Sequence, residues 1–290
     1  MTKNILIVGE NSYIGKSFIR YSTFNNYDLK IDEISSKDNK WKIKNISDYD
    51  VVFHVAGIAH QNRRDVSDED YYKINYKLAV EVAEYAKQNK VRQFIFMSSM
   101  IVYGESSKIG ENKIITKDTI ETPVNAYGDS KLQADKSLQA MNEPNFLVAS
   151  LRPPMIYGPG SKGNFPLLKK IAQRSPFFPN LKNERSMLYI DNLCEFIYQV
   201  IKRELSGIFY PQNSEYVCTS EMVMEISKKV GKEICLTKGF NPLLKSMSGK
   251  VKVLDKVFGN LVYDLALSDN GFEYRVVKFS ESIDKSVEGN

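Results

Sequence analysis

The 290-residue chain has little cysteine and little histidine, and this scarcity narrows what it can be. Its three cysteines, Cys194, Cys218 and Cys235, are odd in number and show no CxxC spacing, so we expect neither disulfides nor a thiolate metal site. The two histidines, His54 and His60, lack the spacing of metal ligands, and packing or surface positions are preferred for both. The sequence therefore favours a reduced, cytoplasmic protein and predicts no bound metal.

Charge of one sign and long apolar runs are scarce as well. The formal net charge is only +5, from 40 basic and 35 acidic residues, and no long block of one sign occurs. A bias this weak is compatible with anionic small molecules but is too diffuse to indicate nucleic acid. No apolar run reaches the roughly 20 residues that a membrane-spanning helix needs. We therefore expect neither nucleic acid nor a membrane as a partner.

What the sequence does contain is a regular alternation of strand and helix patterns up to about residue 155. Short apolar runs are each followed by segments with apolar residues at helical spacing; the runs are NILIVG, DLKIDEIS, DVVFHVAG, QFIFMSS and FLVASLRPP. This alternation predicts an α/β fold with a Rossmann-type, doubly wound parallel sheet. Because Gly, Pro, Ser and Lys then become frequent, we predict a Rossmann domain over residues 1–157 and a smaller C-terminal substrate-binding lobe over 158–290, partly interleaved with it.

The stretch ILIVGENSYIG resembles a dinucleotide-binding turn in which a serine replaces the middle glycine. A strand that runs into a helix exposes backbone N–H groups that attract phosphate, and glycines let the backbone approach the ligand closely. Gly9 and Gly15 supply the turn and the helix packing, while Ser12 can offer its hydroxyl to a phosphate oxygen. Tyr13 and Ile14 complete this set of predicted cofactor contacts. Taken alone, the pattern fits a simple strand-to-helix turn equally well.

A second motif indicates catalysis. Tyr127 and Lys131 are four residues apart in AYGDSK, so their side chains share one helix face. A tyrosine, with an ordinary pKa of ~10, is a poor acid or base at neutral pH unless its phenolate is stabilised, and a nearby ammonium lowers that pKa. By themselves the two residues also fit a solvated helix face. A pair of serines at a strand end, in MSSMIVYG, precedes them and favours the catalytic interpretation.

With these motifs in this order and separation, the chain resembles the extended short-chain dehydrogenase/reductase family, in its nucleotide-sugar epimerase, dehydratase and reductase branch. The resemblance extends from Ile5 to the closing segment LSDNGFEYRVVKFSESI. It implies that Ser99 orients the substrate oxygen and that Tyr127 is the acid/base. It also implies that Lys131 holds the nicotinamide ribose and lowers the tyrosine pKa, and that the protein is a homodimer joined through residues 72–90 and the Tyr127 helix.

The same resemblance assigns further contacts near the cofactor. Ala56 and Gly57 follow a strand, and their small size permits close approach. Asn75, in YYKIN, shapes the site from a helix. Pro154 follows the last strand, where the nicotinamide is expected.

The end of the second strand bears on the choice of cofactor. Ser36 and Lys37, in ISSKD, lie where relatives that prefer NAD carry an acidic residue for the ribose hydroxyl. Hydroxyls and a cation suit a 2′-phosphate, so the sequence favours NADP. NAD stays open because Asp38 is adjacent, and Lys37 is equally explained as a solvated loop charge.

For the substrate, the resemblance assigns Asn164 in GSKGNFP and Arg185 in NERSMLYIDN to a UDP-linked sugar; a guanidinium suits a diphosphate. These features together predict an NADPH-dependent reductase of a UDP-4-keto-6-deoxy-N-acetylhexosamine, serving bacterial surface polysaccharide synthesis. The first alternative is a UDP-hexose or UDP-N-acetylhexosamine 4-epimerase that retains NAD. The second is a cofactor-binding regulator without catalysis.

Overall fold

A computed structural model describes residues 2–37, 39–59 and 66–288, so Asp38 and His60 lie outside the described residues. The strands are β1 (Lys3–Val8), β2 (Leu29–Ile34), β3 (Val51–His54), β4 (Gln93–Met97), β5 (Ile114–Ile115), β6 (Leu147–Leu151), β7 (Met155–Tyr157), β8 (Phe177–Pro179), β9 (Met187–Tyr189), β10 (Gly207–Phe209), β11 (Cys235–Thr237) and β12 (Val262–Tyr263).

The α-helices are α1 (Tyr13–Phe24), α2 (Lys40–Ile43), α3 (Asp68–Tyr71), α4 (Leu78–Gln88), α5 (Ala126–Gln139), α6 (Asn164–Arg174), α7 (Ile190–Lys202), α8 (Thr219–Lys229), α9 (Asn241–Met247), α10 (Lys252–Phe258) and α11 (Phe279–Glu288). A π-helical segment, Tyr72–Lys77, connects α3 to α4, and 3₁₀ turns occur at Met100–Tyr103 and Leu265–Ser268. No described helix combines the length and the apolar character needed to cross a membrane.

The chain divides into two compact units, each assembled from separate stretches of sequence. Unit 1 comprises Met1–Gly104, Glu121–Pro153 and Leu193–Pro211. Unit 2 comprises Glu105–Ile120, Pro154–Asn192 and Gln212–Asn290. The division into domains at residues 157 and 158 stays a prediction.

Unit 1 contains a six-stranded sheet with the order β10–β6–β4–β3–β1–β2, in which every neighbouring pair is parallel. All four residues of β3 and all five of β4 are buried, which explains why these strands are continuous apolar runs instead of alternating ones. The strand order reverses at β1, because β2 lies on one side of β1 and β3 lies on the other. Ligands of such folds bind at the carboxyl ends of the strands at this point. The predicted Rossmann-type fold is confirmed.

Helices α4 and α5 pack on this sheet through small and aliphatic side chains. The buried core cluster includes Ala79, Val82, Ala83 and Ala86 of α4, which recur at helical spacing, and Ala134 and Leu138 of α5. They pack in the same cluster as Phe94 and Phe96 of β4 and Val148 of β6. This packing fixes the position of α5, the helix that carries Tyr127 and Lys131.

Unit 2 contains three short two-stranded parallel sheets, β7–β9, β8–β11 and β5–β12. Tyr157 of β7 is fully buried, and its hydroxyl lies 2.6 Å from Ser282 Oγ and accepts a hydrogen bond of 3.0 Å from Asn213 Nδ2. Buried polar contacts of this kind connect β7 to the C-terminal helix α11 within the unit.

Candidate active site

The turn after β1 requires a glycine at position 9. Gly9 has a φ of +125°, and a Cβ there would lie 2.7 Å from the backbone nitrogen of Ala56. A side chain at this position would therefore be strained by its backbone conformation and would clash with the loop after β3. The absence of a side chain leaves the backbone of the turn accessible to a large ligand.

Ser12, at the middle position of the glycine pattern, caps the helix that follows. Its Oγ accepts a hydrogen bond of 3.0 Å from the backbone N–H of Gly15, and Tyr13 and Ile14 form the start of α1. This bond satisfies one of the helix's free N–H groups, as N-cap serines do. The Ser12 hydroxyl still has its proton to donate, so its predicted contact with a phosphate stays a prediction.

Glu33 of β2 is a candidate functional residue that the sequence analysis missed. Its Oε1 is buried and has no hydrogen-bond partner among the described residues, and it lies 3.5 Å from the position of a Cβ on Gly15. A buried carboxylate oxygen without a donor is costly unless a ligand satisfies it. In Rossmann folds an acidic residue ~20 positions after the glycine turn binds the ribose hydroxyl. That spacing was available in the sequence, because Glu33 is eighteen positions after Gly15.

Ser36 and Lys37, the residues that favoured NADP in the sequence, lie in a bend beyond the end of β2. The Lys37 side chain is exposed, and its backbone N–H donates a 3.2 Å hydrogen bond to Ser35 Oγ. The structure therefore places the carboxylate of Glu33 beside the glycine turn, whereas the side chain of Lys37 is exposed.

The structure places Ser99 and Tyr127 near each other. Ser99 begins the 3₁₀ turn after β4, and its Oγ accepts a 3.3 Å hydrogen bond from the N–H of Ile101. Tyr127 lies in the first turn of α5, which Asn125 caps through a 2.9 Å bond from the N–H of Gly128. The Ser99 hydroxyl is close enough to the Tyr127 phenol to influence its pKa. Their roles in catalysis stay predictions.

The pKa of Tyr127 lies above its ordinary value, opposite to the direction that the sequence led us to expect. Burial, which disfavours the phenolate, is the largest cause of this rise in pKa, and the nearby Ser99 hydroxyl partly offsets it. Lys131 was expected to stabilise the phenolate, but its ammonium instead donates a 2.7 Å hydrogen bond to the carbonyl oxygen of Met97. Tyr127 is therefore protonated at neutral pH and is able to donate a proton.

Lys131 is buried beside two residues assigned to the same site. Burial lowers its pKa to about 8, although the charge of Asp135 acts in the opposite direction. A Cβ on Gly57 would lie 3.2 Å from Lys131 Nζ and 2.9 Å from Asn75 Oδ1. The absence of a side chain at Gly57 therefore gives the lysine and the asparagine the room they occupy.

Asn75 lies in the π-helical segment and is fully buried. Its Oδ1 accepts a 2.8 Å bond from the N–H of Ile58, and its Nδ2 donates to Ile58 O at 3.1 Å and to Ser130 Oγ at 3.3 Å. Asn75 thus ties the loop after β3 to α5. π-helical turns are rare and occur often at functional sites.

A buried polar network that the sequence did not predict lies at the ends of β4 and β6. Arg152, at the end of β6, donates to Asp135 Oδ2 and Glu121 Oε1, both at 2.9 Å, and to the hydroxyl of Tyr103 at 2.6 Å. Asp135 also accepts a 2.7 Å bond from Ser98 Oγ. The network connects the ends of β4 and β6 with α5, and so fixes the strand end that carries Ser99.

His54 has a packing role, as the sequence favoured. It is fully buried at the end of β3, with ring centroids of Phe94 and Phe96 at 6.0 and 6.1 Å. Burial, aided by the charge of Lys131, lowers its pKa to about 3, so it is neutral. Within the described ranges no cluster of three histidine, cysteine or acidic side chains forms a candidate metal site.

In unit 2, Arg185 is the clearest candidate for binding an anion. Its Nη1 donates 3.0 Å bonds to Ser106 Oγ and Gly259 O, burial lowers its pKa to about 10, and it forms no ion pair with any described residue. A withdrawn guanidinium without an acidic partner suits a phosphate. Asn164 is the exposed first residue of α6, and Pro154 is buried just before β7.

The chain is similar to known nucleotide-sugar enzymes. A family model described as the NAD dependent epimerase/dehydratase family matches residues 5–210. The UDP-glucose 4-epimerase of Vibrio cholerae is 28% identical over 295 residues, covering 92% of this chain and 88% of that protein. The family match confirms the resemblance that the sequence motifs predicted.

Two solved structures share the fold at low sequence identity. One is a UDP-glucuronic acid 4-epimerase from Bacillus cereus in complex with NAD, with a TM-score of 0.74 and 17% identity over 99% of this chain and 96% of that chain. The other is a dTDP-4-dehydrorhamnose reductase from Bacillus anthracis in complex with NADP, with a TM-score of 0.75 and 15% identity over 100% of both chains. The fold is thus shared with an epimerase that holds NAD and with a reductase that holds NADP.

Proposed function

We propose, since the chain belongs to the NAD dependent epimerase/dehydratase family, that it is a 4-epimerase of a UDP-hexose or UDP-N-acetylhexosamine that keeps NAD bound through each cycle. Membership confirms the prediction of an NAD(P)-dependent enzyme. The observation that carries the epimerase proposal is the buried carboxylate oxygen Oε1 of Glu33, which has no hydrogen-bond partner among the described residues and lies beside the glycine turn.

The residues around the turn after β1 fit a dinucleotide. Gly9 leaves room that a Cβ would fill, and Glu33 Oε1 is a buried acceptor in need of a donor. A ribose hydroxyl supplies that donor, whereas a 2′-phosphate would be repelled by the carboxylate. These residues therefore favour NAD, the alternative in the sequence analysis, over NADP. When bound, NAD would supply a reversible hydride acceptor for a sugar carbon.

The side chains of unit 1 supply the proton chemistry. The phenolate form of Tyr127 accepts the proton of the sugar C4 hydroxyl as C4 loses its hydride, and the resulting phenol returns the proton to the C4 oxygen when the hydride comes back. Ser99 orients that oxygen through its own hydroxyl. Lys131, charged below a pH of about 8, contributes a positive charge close to Gly57 and Asn75. Positioned acid/base catalysis of this kind is typically worth ~10²–10⁴-fold in rate.

The UDP group is proposed to bind through Arg185 and Asn164. Arg185 supports this assignment because its charge has no acidic partner among the described residues. The similarity to the Vibrio cholerae UDP-glucose 4-epimerase supports both the UDP group and the epimerase chemistry.

A second candidate is the NADPH-dependent reductase of a UDP-4-keto-6-deoxy-N-acetylhexosamine. The raised pKa of Tyr127 favours it, because a ketone reductase needs a phenol that donates a proton and never needs to recover one from the substrate. The non-catalytic regulator has less support, because such proteins commonly lose the tyrosine or the lysine, whereas Tyr127 and Lys131 are both present.

The deciding experiment analyses the purified protein for nucleotide released on denaturation and assays it with UDP-glucose and UDP-N-acetylglucosamine without added cofactor. We expect released NAD(H) and formation of the 4-epimers. Turnover only of a 4-keto sugar, and only with added NADPH, would replace the epimerase with the reductase. As a control, Tyr127→Phe should keep its NAD while turnover falls by ~10²–10⁴-fold. A Tyr127→Phe variant with wild-type turnover would show that the acid/base is misassigned.

We also propose a cytoplasmic homodimer in which residues 72–90 and α5 form the contact. Cys194, Cys218 and Cys235 form no disulfide among the described residues, which is consistent with a reducing compartment. Light scattering at micromolar concentration measures the oligomeric state, and a strict monomer would refute the dimer.

A further inference from the structure

Helix α9 of unit 2 is unusual because it buries none of its residues. Short helices are marginal in water, and most gain their stability by packing an apolar face. The sequence of α9, NPLLKSM, has apolar residues available for such packing, yet they remain accessible. The helix and the residues around it, 238–256, are called the α9–α10 face below.

Large apolar side chains are exposed along this face. The exposed fractions are 49% for Phe240, 60% for Leu243, 37% for Met247, 37% for Val251 and 63% for Val253. Phe240, Leu243 and Met247 are three and four residues apart, so they lie along one side of the helix. Such a row of exposed apolar groups is characteristic of a surface that contacts another apolar phase.

Positive charge is concentrated in the same segment. It contains one acidic residue, Asp255, and five lysines: Lys238, Lys245, Lys250, Lys252 and Lys256. The α9–α10 face therefore has a formal net charge of +4, compared with +5 for the whole chain. The remainder of the protein is close to neutral.

The acidic groups near the face neutralise only part of this charge. Asp255 is used within the segment, accepting bonds of 2.8 Å from the N–H of Gly249 and 2.5 Å from Ser248 Oγ. Glu105 lies 3.7 Å from Lys256 Nζ and 4.0 Å from Lys252 Nζ. These contacts involve one end of the face.

At the other end, Lys238, Lys245 and Lys250 form no ion pair with any residue that the structure describes, and all three are exposed. Lysines interleaved with exposed apolar side chains bind anionic bilayers, because the apolar groups enter the headgroup boundary while the ammonium groups approach lipid phosphates. We propose that the α9–α10 face binds the surface of a bilayer that contains anionic lipid. This goes beyond the proposed function and revises the expectation of no membrane partner, which rested on the lack of a spanning helix.

The test is sedimentation of the full chain with vesicles of phosphatidylcholine, with and without phosphatidylglycerol. We expect binding to the anionic vesicles that weakens as salt is raised, and little binding to the neutral ones. Each lysine near an anionic surface contributes about fivefold to binding. Replacing Lys238, Lys245 and Lys250 together by Gln should therefore lower the affinity by roughly 100-fold.

A matched control replaces three exposed lysines elsewhere, Lys30, Lys117 and Lys232, by Gln, which removes the same charge. The proposal requires this control to bind almost as well as wild type and Leu243→Ser to bind less well. Equal losses in the two triple variants, or no binding to anionic vesicles at low salt, would overturn it. Self-association that Leu243→Ser abolishes, without vesicle binding, would assign the face to a second copy instead. Epimerase activity on UDP-sugars without vesicles is assayed separately, so the two proposals fail independently.

Discussion

The buried arginine of unit 1 and the part-buried arginine of unit 2 differ in their partners. Arg152 of unit 1 is 1% exposed and is paired with two carboxylates, those of Asp135 and Glu121. The guanidinium of Arg185 in unit 2 donates to the neutral oxygens of Ser106 and Gly259 and has no carboxylate partner among the described residues. The first cation is neutralised within the protein, whereas the second retains its charge.

The pKa values reflect the same difference. Burial lowers the pKa of Arg152, but Asp135 and the other partners outweigh this effect and hold the pKa above its ordinary value. For Arg185, burial is the sole cause acting, and the pKa is lowered to about 10. A withdrawn charge that is paired with carboxylates of the protein serves the fold, and one without an acidic partner is available to a ligand. Three substitutions test this distinction.

The largest effect is expected for Arg152→Met. Removing one partner from a buried ionic network leaves uncompensated carboxylates, which typically costs ~3–5 kcal/mol. The free energy of unfolding, measured in urea, should fall by about this amount. The double variant Arg152→Met/Asp135→Asn should regain part of the loss, because it no longer buries the Asp135 charge. A loss below ~1 kcal/mol would mean that the network contributes little to the fold.

Lys131→Met is expected to have a smaller, pH-dependent effect. Since burial lowers the pKa of Lys131 to about 8, the folded protein binds fewer protons than the unfolded chain between this pH and the ordinary lysine pKa. The contribution of Lys131 to stability is therefore most unfavourable below pH 8 and improves as pH rises. At pH 7 the variant should be more stable than wild type, by up to about 3 kcal/mol. Urea unfolding at neutral and alkaline pH should show that this gain in stability becomes smaller as pH rises. A gain that is independent of pH would mean that the buried charge of Lys131 is not its cause.

The smallest effect is expected for Arg185→Met, and it concerns ligand binding. Hydrogen bonds to charged groups are worth ~1.5–3 kcal/mol, so UDP should bind roughly 10–150-fold more weakly. Calorimetric titration with UDP measures this loss, while the free energy of unfolding should stay close to that of wild type. Unchanged UDP affinity, or a stability loss like that of Arg152→Met, would remove the distinction between the two arginines.

The sequence predicted those features that depend on neighbours along the chain. Strands β3 and β4 were recognisable because both faces are buried and their residues are continuously apolar. Tyr127 and Lys131 were recognisable because four residues of helix place them on one face. The distance of Glu33 from the glycine turn indicated a ribose-binding residue, but the prediction placed that position after the end of β2, at Ser36 and Lys37.

The remaining features arise from contacts between distant residues. The Arg152 network joins residues 17 and 31 positions apart, and its members are not recognisable as a motif in the sequence. The direction of the Tyr127 pKa depends on burial and on where the Lys131 ammonium points, and helical spacing determines neither. The sequence did not predict the exposure of α9 either, because its apolar residues have the spacing of a helix that packs against a core.

The π-helical segment Tyr72–Lys77 bears on how such a site can diversify. Widening a helical turn accommodates one additional residue, and each residue added to or removed from a helix rotates everything beyond it by about 100°. Deleting one residue here would rotate Asn75 relative to α4. With the apolar face of α4 kept on the sheet, Asn75 would then turn away from Ile58 and Ser130. Single-residue insertions and deletions in this segment could therefore vary the ligand side of the helix independently of its core side, which gives evolution a route to new specificities at constant stability.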